Sequence, residues 1–298
     1  MSDQERTLQF GKYTVEASSW DKTLFPDADL RKGDLIEYFC NISDTILPHL
    51  KGRPLSFQRL PDGVDQDGFI QKNTPDHFPD WIRTATLETQ DGSVTHTLAE
   101  NKATLAYLAD QACLAIHRSL ATADAPDHPL ELVIDLDPPG DDFAAVQQAA
   151  KWTREALEAR DLPAHIMLTG SSGIHVVVPL DGSTPFDQVR EYAGKLTKAL
   201  AEEHADELTT EQRKDKRRGR VFLDINRNAR GQTSVAPYSP RAVAEAAVAC
   251  PVSWEQALAK GTGPRELTLK HIEDHLREHG DVWKDIRRHA VDLASHME

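Results

Sequence analysis

Cysteine is scarce in this chain. Cys40, Cys113 and Cys250 are odd in number, far apart and free of any CxxC spacing, which argues against a disulfide framework and against a structural zinc site. Scattered thiols suit a reducing cytoplasm, so cytoplasmic residence is the expectation. No apolar run approaches the roughly 18–20 residues of a membrane span, and "MSDQERTLQF" has neither the basic head nor the apolar stretch of a secretory signal. No membrane partner is expected. Excess positive charge is missing too: 34 Lys and Arg stand against 48 Asp and Glu, a net charge of −14. Nucleic-acid binders usually carry a basic footprint, so any such role must be local. "RKDKRRGR" packs six basic residues into positions 213–220. Such a patch can act where the total does not, although a solvated surface is its plain alternative.

What is present is an ordinary globular composition, 39% hydrophobic and 28% charged over 298 residues, enough for one large core or two modest domains. There is no internal repeat and no low-complexity segment. In the first third, "DLIEYFCNISDTILPHL" has helical spacing, with Leu35, Tyr38, Phe39, Ile42 and Ile46 on one side. "PLSFQRL" and "SVTHTL" are expected strands, and "NKATLAYLADQACLAIHRSL" an amphipathic helix. "ATADAPDHP" has the composition of a connector. From residue 130 the order becomes regular: strand "LELVIDLD", helix "DDFAAVQQAAKWTREALEAR", strands "AHIMLTG" and "IHVVVPL" around "GSSG", helix "TPFDQVREYAGKLTKALAEEH", strand "RVFLDINRN". This β-α-β-β-α-β order predicts one antiparallel four-stranded sheet with both helices on one face. The tail from "AEAAVAC" onward is expected to be loops plus helices such as "ELTLKHIEDHLREHG".

The chemistry concentrates in "ELVIDLDPPGDDF". Alternate positions in a strand point to one face, so Asp135 and Asp137 stand side by side. Like charges so placed are costly unless a cation joins them. In the split topology Asp224 of "VFLDIN" can approach the pair, and three converging carboxylates suit hard divalent cations such as Mg²⁺ or Mn²⁺. On its own a DxD also serves structural or turn-capping ends. "LTGSSGIHVVV" supplies glycines and hydroxyls able to present backbone N–H groups to an anion, with His175 opening the next strand; a packed strand-end histidine is the plain alternative. "GSSG" is not a nucleophile elbow, because a strand follows it rather than a helix. A carboxylate-metal centre beside an anion-cradling turn points to phosphoryl or nucleotidyl transfer.

The order "VIDLDPP", "TGSSGIHVVVPL", "VFLDINRNARGQTSVAPYSPRA" resembles the three motifs of the archaeo-eukaryotic primase superfamily. The resemblance is strongest to the polymerase domain of bacterial DNA ligase D and its stand-alone relatives. "DKTLFPDADLRKGDLIEYF", "LPHLKGRPLSFQRLPDGVDQDGFIQKN" and "PDWI" are similar to that family's N-terminal signature, so the likeness runs from about residue 10 to 290. It implies an α+β, archaeo-eukaryotic primase-like fold: an RRM-like β-α-β-β-α-β catalytic module packed against an N-terminal α/β module. The whole of 1–298 would be one catalytic unit, with sub-modules near 1–125, 126–245 and a C-terminal helical extension at 246–298. The implied activity is template-directed addition of nucleotides to a 3′-hydroxyl, filling gaps at broken or damaged DNA. Two metals, Mn²⁺ or Mg²⁺, would sit on Asp135, Asp137 and Asp224. The resemblance assigns Gln58, Phe69, His117, Thr169, Ser171, Ser172, His175 and Arg241 to the nucleoside triphosphate, which is either an NTP or a dNTP. Lys22 and Lys32 would capture the 5′-phosphate across a gap, and Arg53, Lys72, Arg217 and Arg220 would bind DNA.

Departures from the family pattern accompany it. Ser172 stands where close relatives carry a turn lysine, Gln58 where they often carry a lysine, and Ile70 replaces the second ring of an aromatic pair. Weaker or differently selective nucleotide binding is the expectation. No segment offers an independent core for an adenylation domain, so a separate DNA ligase and an end-binding protein are candidate partners, at the nucleoid. The chain is expected either to stand alone or to be one domain of something longer. Two rival functions explain part of the pattern: a metal-dependent sugar-nucleotide glycosyltransferase, and a catalytically inactive DNA-end-binding module.

Overall fold

The computed structural model describes residues 5–89 and 92–297, so the first four residues of "MSDQERTLQF" lie outside the described residues. The chain divides into two compact units. The first holds residues up to Ser119, Val235–Ala249 and Leu267–Asp281; the second holds Leu120–Ser234, Cys250–Glu266 and the residues from Val282 on. Residues after 245 therefore do not stay together but are shared between the units. Among the described residues no helix is long and apolar enough to cross a membrane.

The first unit opens with two antiparallel pairs, β1 (Arg6–Phe10) with β2 (Tyr13–Ala17) and β3 (Thr23–Phe25) with β4 (Leu30–Arg31). The helical run then forms as expected but in two pieces, α1 (Lys32–Asn41) and α2 (Ser43–Leu50). The Ser43 hydroxyl donates to the Cys40 carbonyl at 3.0 Å, tying off the first helix, while Asp44 sits favourably in the first turn of the second. Leu35, Tyr38, Phe39, Ile42 and Ile46 are all buried, as their spacing demands. Next come β5 (Leu55–Arg59), β6 (Phe69–Gln71), the hairpin of β7 (Thr84–Thr89) and β8 (Gly92–Thr97), α3 (Lys102–Asp110) and β9 (Cys113–Ser119). The single helix expected over 101–120 is thus corrected to a helix and a strand. Asn101 caps α3 by accepting the Thr104 N–H, but Ala112 takes φ +53° and reverses the chain. "CLAIHRS" then pairs antiparallel with β5, and long-range pairing of a buried strand outweighs local helical spacing.

The second unit carries the β-α-β-β-α-β order: β10 (Glu131–Asp137), α4 (Phe143–Glu158), β11 (His165–Leu168), β12 (Ile174–Pro179), α5 (Phe186–Glu203), β13 (Leu208–Thr209) and β14 (Val221–Asp224). Its four main strands lie in the order β14-β10-β12-β11, each pair antiparallel. Helices α4 and α5 touch each other and both touch β10, so they share one face of the sheet. Two strands extend the expected four. β13 adds parallel to β14 at one edge, and past β15 (Thr233–Val235) the chain returns as β16 (Cys250–Val252) on β11 at the other. Helices α6 (Trp254–Leu258) and α7 (Ile272–His279) follow, one in each unit. Leu132, Ile134 and Leu136 are fully buried on one side of β10, as are their partners Val178, Val176 and Ile174. The alternate side carries Val133, Asp135 and Asp137.

At the far end of this sheet His165 lies 3.4 Å from His289, its ring nearly parallel to that neighbour and edge-on to Trp283. Burial, then the second imidazole, pushes His165 down to about 4, against a smaller upward pull from Glu131. The unfolded chain then binds more protons than the fold between the two values, so this contribution is complete above about pH 6.5 and is lost as pH falls toward 4. His165→Gln is expected to flatten that slope, sparing at most about 2 kcal/mol at pH 4.5 after allowance for partial solvent exposure. Urea midpoints at pH 4.5 and 7.5 provide the check.

Candidate active site

Strand register builds the acid site. Asp135 sits directly opposite Asp224 on one neighbour and opposite His175 on the other. Asp137, two residues along the same face, pairs with Phe222. Directly opposed residues have Cβ atoms about 4.5–5.5 Å apart and diagonal ones about 7–8 Å, so the three carboxylates form one cluster. β10 is held in place beyond the end of β14 by Asn228, fully buried, whose amide accepts the Val133 N–H at 2.8 Å and donates to the Val133 carbonyl at 2.6 Å. That side chain imitates a strand edge and keeps the acids in register.

The electrostatics record the crowding. Burial, then the charges of Asp135 and Asp224, push the Asp137 carboxyl up to about 6, against the downward pull of Arg217 and His175. Arg217 acts from the basic run: its guanidinium stacks 3.9 Å from the Phe222 ring centroid and donates to the Glu211 and Gln212 carbonyls. Arg220 donates to the carbonyls of Arg217 and Ala205, so both arginines help to fold the 211–220 loop. His175 Nε2 lies 3.4 Å and Arg227 Nε 3.9 Å from Asp135 Oδ2. Asp224 Oδ1 accepts the Asn226 N–H at 2.7 Å.

The turn after β11 is held from inside. The Thr169 hydroxyl, buried, donates to the Gly173 carbonyl at 2.9 Å and accepts the Gly173 N–H at 3.2 Å. Gly170 takes φ +66°. Gly173 presses on β10 so closely that a Cβ there would lie 2.2 Å from the Leu136 carbonyl oxygen. The Thr169 hydroxyl thus braces the turn from inside, while Ser171 is half-buried and Ser172 exposed.

The resemblance implies divalent Mn²⁺ or Mg²⁺ on these acids, and the donor set bears on it. All three side chains offer carboxylate oxygen, the chemistry hard cations take. Their unbalanced repulsion, visible in Asp137, is relieved by a cation. Among the described residues no group of three or more His, Cys, Asp or Glu side chains is already arranged to hold a metal ion. The donor chemistry nonetheless fits the group, and the register brings the three Cα positions together. In metal-free protein Asp137→Asn is expected to raise stability at pH 7.5 by about 1–2 kcal/mol, with solvent screening allowed for. A carboxyl raised by its fold costs stability above about pH 6, and the cost fades as pH falls toward 4. Urea denaturation in EDTA checks it, and Mn²⁺ should then stabilise the native chain more than the variant.

The remaining candidates lie in the first unit. Gln58 and His117 occupy one face of the β5–β9 pair, where Ser56 opposes His117 and Ala115 opposes Gln58. Phe69 pairs with Arg59 and so stands on the other face, with the Arg59 guanidinium 5.4 Å from its ring centroid; Ile70 is the residue beside Gln58. Both Phe69 and Ile70 are exposed. Arg241 donates its backbone N–H to the Ala247 carbonyl. Lys22 pairs at the surface with Asp62 at 2.6 Å. Lys32 is buried, its ammonium 2.7 Å from Asp110 Oδ1, 3.1 Å from the Asp110 carbonyl and 3.3 Å from the Ser18 hydroxyl, which occupies all three protons. Arg53 is buried and donates to the Ser119 carbonyl, whereas Lys72 is exposed. Arg227, Asn228 and Gly173 were missed by sequence reasoning. For Arg227 and Asn228 the signal was position, three and four residues past the third acid.

Known proteins resemble this chain in sequence and fold. The family model described as "LigD, primase-polymerase domain" matches residues 31–283. The chain is 31% identical over 280 residues to the bifunctional non-homologous end joining protein LigD of Bacillus subtilis, covering 93% of this chain and 45% of that protein. It is 29% identical over 277 residues to the multifunctional non-homologous end joining DNA repair protein LigD of Mycobacterium tuberculosis, covering 90% and 36%. It thus spans less than half the length of these curated relatives. The solved polymerase domain of Mycobacterium tuberculosis ligase D, in complex with DNA, superimposes with a TM-score of 0.86 at 27% identity, covering 93% of this chain and 99% of that one. With the acid row, the turn and the sheet order all in place, the chain belongs to the LigD primase-polymerase domain family.

Proposed function

We propose that this chain is a template-directed DNA/RNA nucleotidyltransferase that extends a 3′-hydroxyl across short gaps or at broken ends, in non-homologous end joining or excision repair beside the bacterial nucleoid. The observation that carries this reading is the face shared by Asp135, Asp137 and Asp224, with Asp137 raised to about 6 by burial and its like-charged neighbours. Asp135, Asp137 and Asp224 would hold two divalent cations. When bound, such ions lower the pKa of the primer hydroxyl and neutralise the triphosphate and the leaving pyrophosphate. The chain's own part is orientation. Asn228 pins β10, and His175 and Arg227 flank the Asp135 carboxylate. Within the 169–173 turn the Thr169 and Gly173 N–H groups bond inside the turn, so the Ser171 and Ser172 hydroxyls are its proposed anion contacts. Gln58, Phe69, His117 and Arg241 are the proposed nucleotide contacts of the first unit, with Lys22, Lys32, Arg53 and Lys72 its proposed DNA contacts.

Primer extension on a gapped duplex with Mn²⁺, run with NTPs and dNTPs, tests the reading. Added nucleotides are expected; binding without addition, or turnover of a sugar nucleotide instead, would overturn it. The two lysines assigned to the 5′-phosphate should behave differently. Lys22→Ala breaks a surface pair, which costs at most about 1 kcal/mol, and should weaken the preference for a phosphorylated downstream strand without lowering the melting temperature. Lys32→Ala leaves the buried Asp110 carboxylate unpaired, a loss of about 3–5 kcal/mol. An undiminished 5′-phosphate preference in Lys22→Ala would remove that residue from the pocket.

A further inference from the structure

Beside the acid row the second unit has a cleft of about 570 Å³ that begins at Pro138, one residue past Asp137. Its lining mixes small residues, Gly140, Ser171 and Ser172 of the turn and Gly261 and Gly263 of the loop after α6, with the larger Phe143. That loop also brings Arg265, whose Nε donates to the Ser171 carbonyl at 2.8 Å. That bond ties the guanidinium charge to the turn. Asp141 and Glu266 line the cleft as well, and among the described residues lining it Arg265 is the one cation. A ligand that satisfies both signs is a polyphosphate carrying a divalent cation.

We infer that Arg265, held on the 169–173 turn, is a binding residue for the metal-complexed polyphosphate tail of the incoming nucleotide. This deepens the nucleotidyltransferase reading and rests on it. The contact joins residues 94 apart in the chain, so no local motif announces it. It gives the turn a cation from a second element, where the turn itself, residues 169–173, carries no charged side chain.

Equilibrium binding of ATP and of AMP, each with Ca²⁺ and without DNA, tests the inference, alongside the nucleotide KM in gap extension. Arg265→Gln should weaken ATP binding roughly 10- to 100-fold, the range for losing a charge-assisted contact, and leave AMP binding within about twofold. KM should rise in step while kcat changes less. Arg265→Lys should recover part of the loss, and Ser172→Lys in the Arg265→Gln background should recover it by restoring charge to the same cleft. Unchanged ATP affinity in Arg265→Gln would overturn the inference, as would parallel losses of ATP and AMP, which mark a distorted turn. Arg265-dependent ATP binding by native protein that extends no primer would uphold this site and overturn the polymerase reading instead.

Discussion

Asp224→Ala is expected to lower gap extension at least about a thousandfold, equivalent to about 4 kcal/mol at the transition state, while DNA binding stays near the native level. Asp224 is the acid supplied by a separate strand, and it faces Asp135 directly across β10 and β14. Removing it takes away one of three carboxylates and leaves the sheet intact. The side chain has one structural duty, accepting the Asn226 N–H at 2.7 Å. Asp224→Asn keeps an oxygen for that bond and removes only the charge, so it should lose most of the activity with no loss of melting temperature. Titration adds a second readout. Asp224 is one of the charges that hold the Asp137 carboxyl up, so either variant should move Asp137 back toward an ordinary carboxylate value, measurable by carboxyl-carbon NMR. Extension at native rates in Asp224→Ala would relocate the metal-binding acids.

Gly173→Ala is expected to cost about 1–3 kcal/mol of stability, the usual range for forcing a methyl into filled space, and about a hundredfold in extension, the scale reported for an ångström of misplacement. The added Cβ would lie 2.2 Å from the Leu136 carbonyl oxygen, 3.2 Å from its carbon and 3.7 Å from the Asp137 Cα. All three atoms are backbone, so no side chain can swing aside and β10 itself must shift between its two acids. Gly194→Ala on α5 is the control, because a Cβ there meets only the Ile225 Cδ1 at 3.5 Å, an ordinary van der Waals contact. Melting curves for both variants, with extension measured below the lower midpoint, give the comparison. A Gly173→Ala protein with native melting and native extension would mean that the strand tolerates the shift and that acid placement is loose.

The sequence by itself determined the ingredients that repeat with short period. The alternation in "VIDLD" put Asp135 and Asp137 on one face, and the order of strands and helices from 130 to 224 defined the sheet in which Asp224 meets them. Such patterns are legible because side-chain direction follows from positions two or four residues away. The acid trio, the turn and the split topology were read on that basis, and the family resemblance lay on the same residues.

Tertiary structure alone decided what depends on distant partners. "CLAIHRS" is a strand because β5 lies beside it, although the twenty residues around it carry helical spacing. β16 joins the sheet from a tail read as loops and helices, since "CPV" is too short to declare itself. Phe69 and Gln58 are parted by a register of alternate faces, and Lys32 is buried on Asp110, a residue 78 positions away. Asn228 bonds 95 residues back to Val133, Gly173 meets the Leu136 backbone, and Arg265 reaches Ser171. Each contact closes a long loop, and the free energy that selects it comes from packing and hydrogen bonding between segments that do not share a window of sequence.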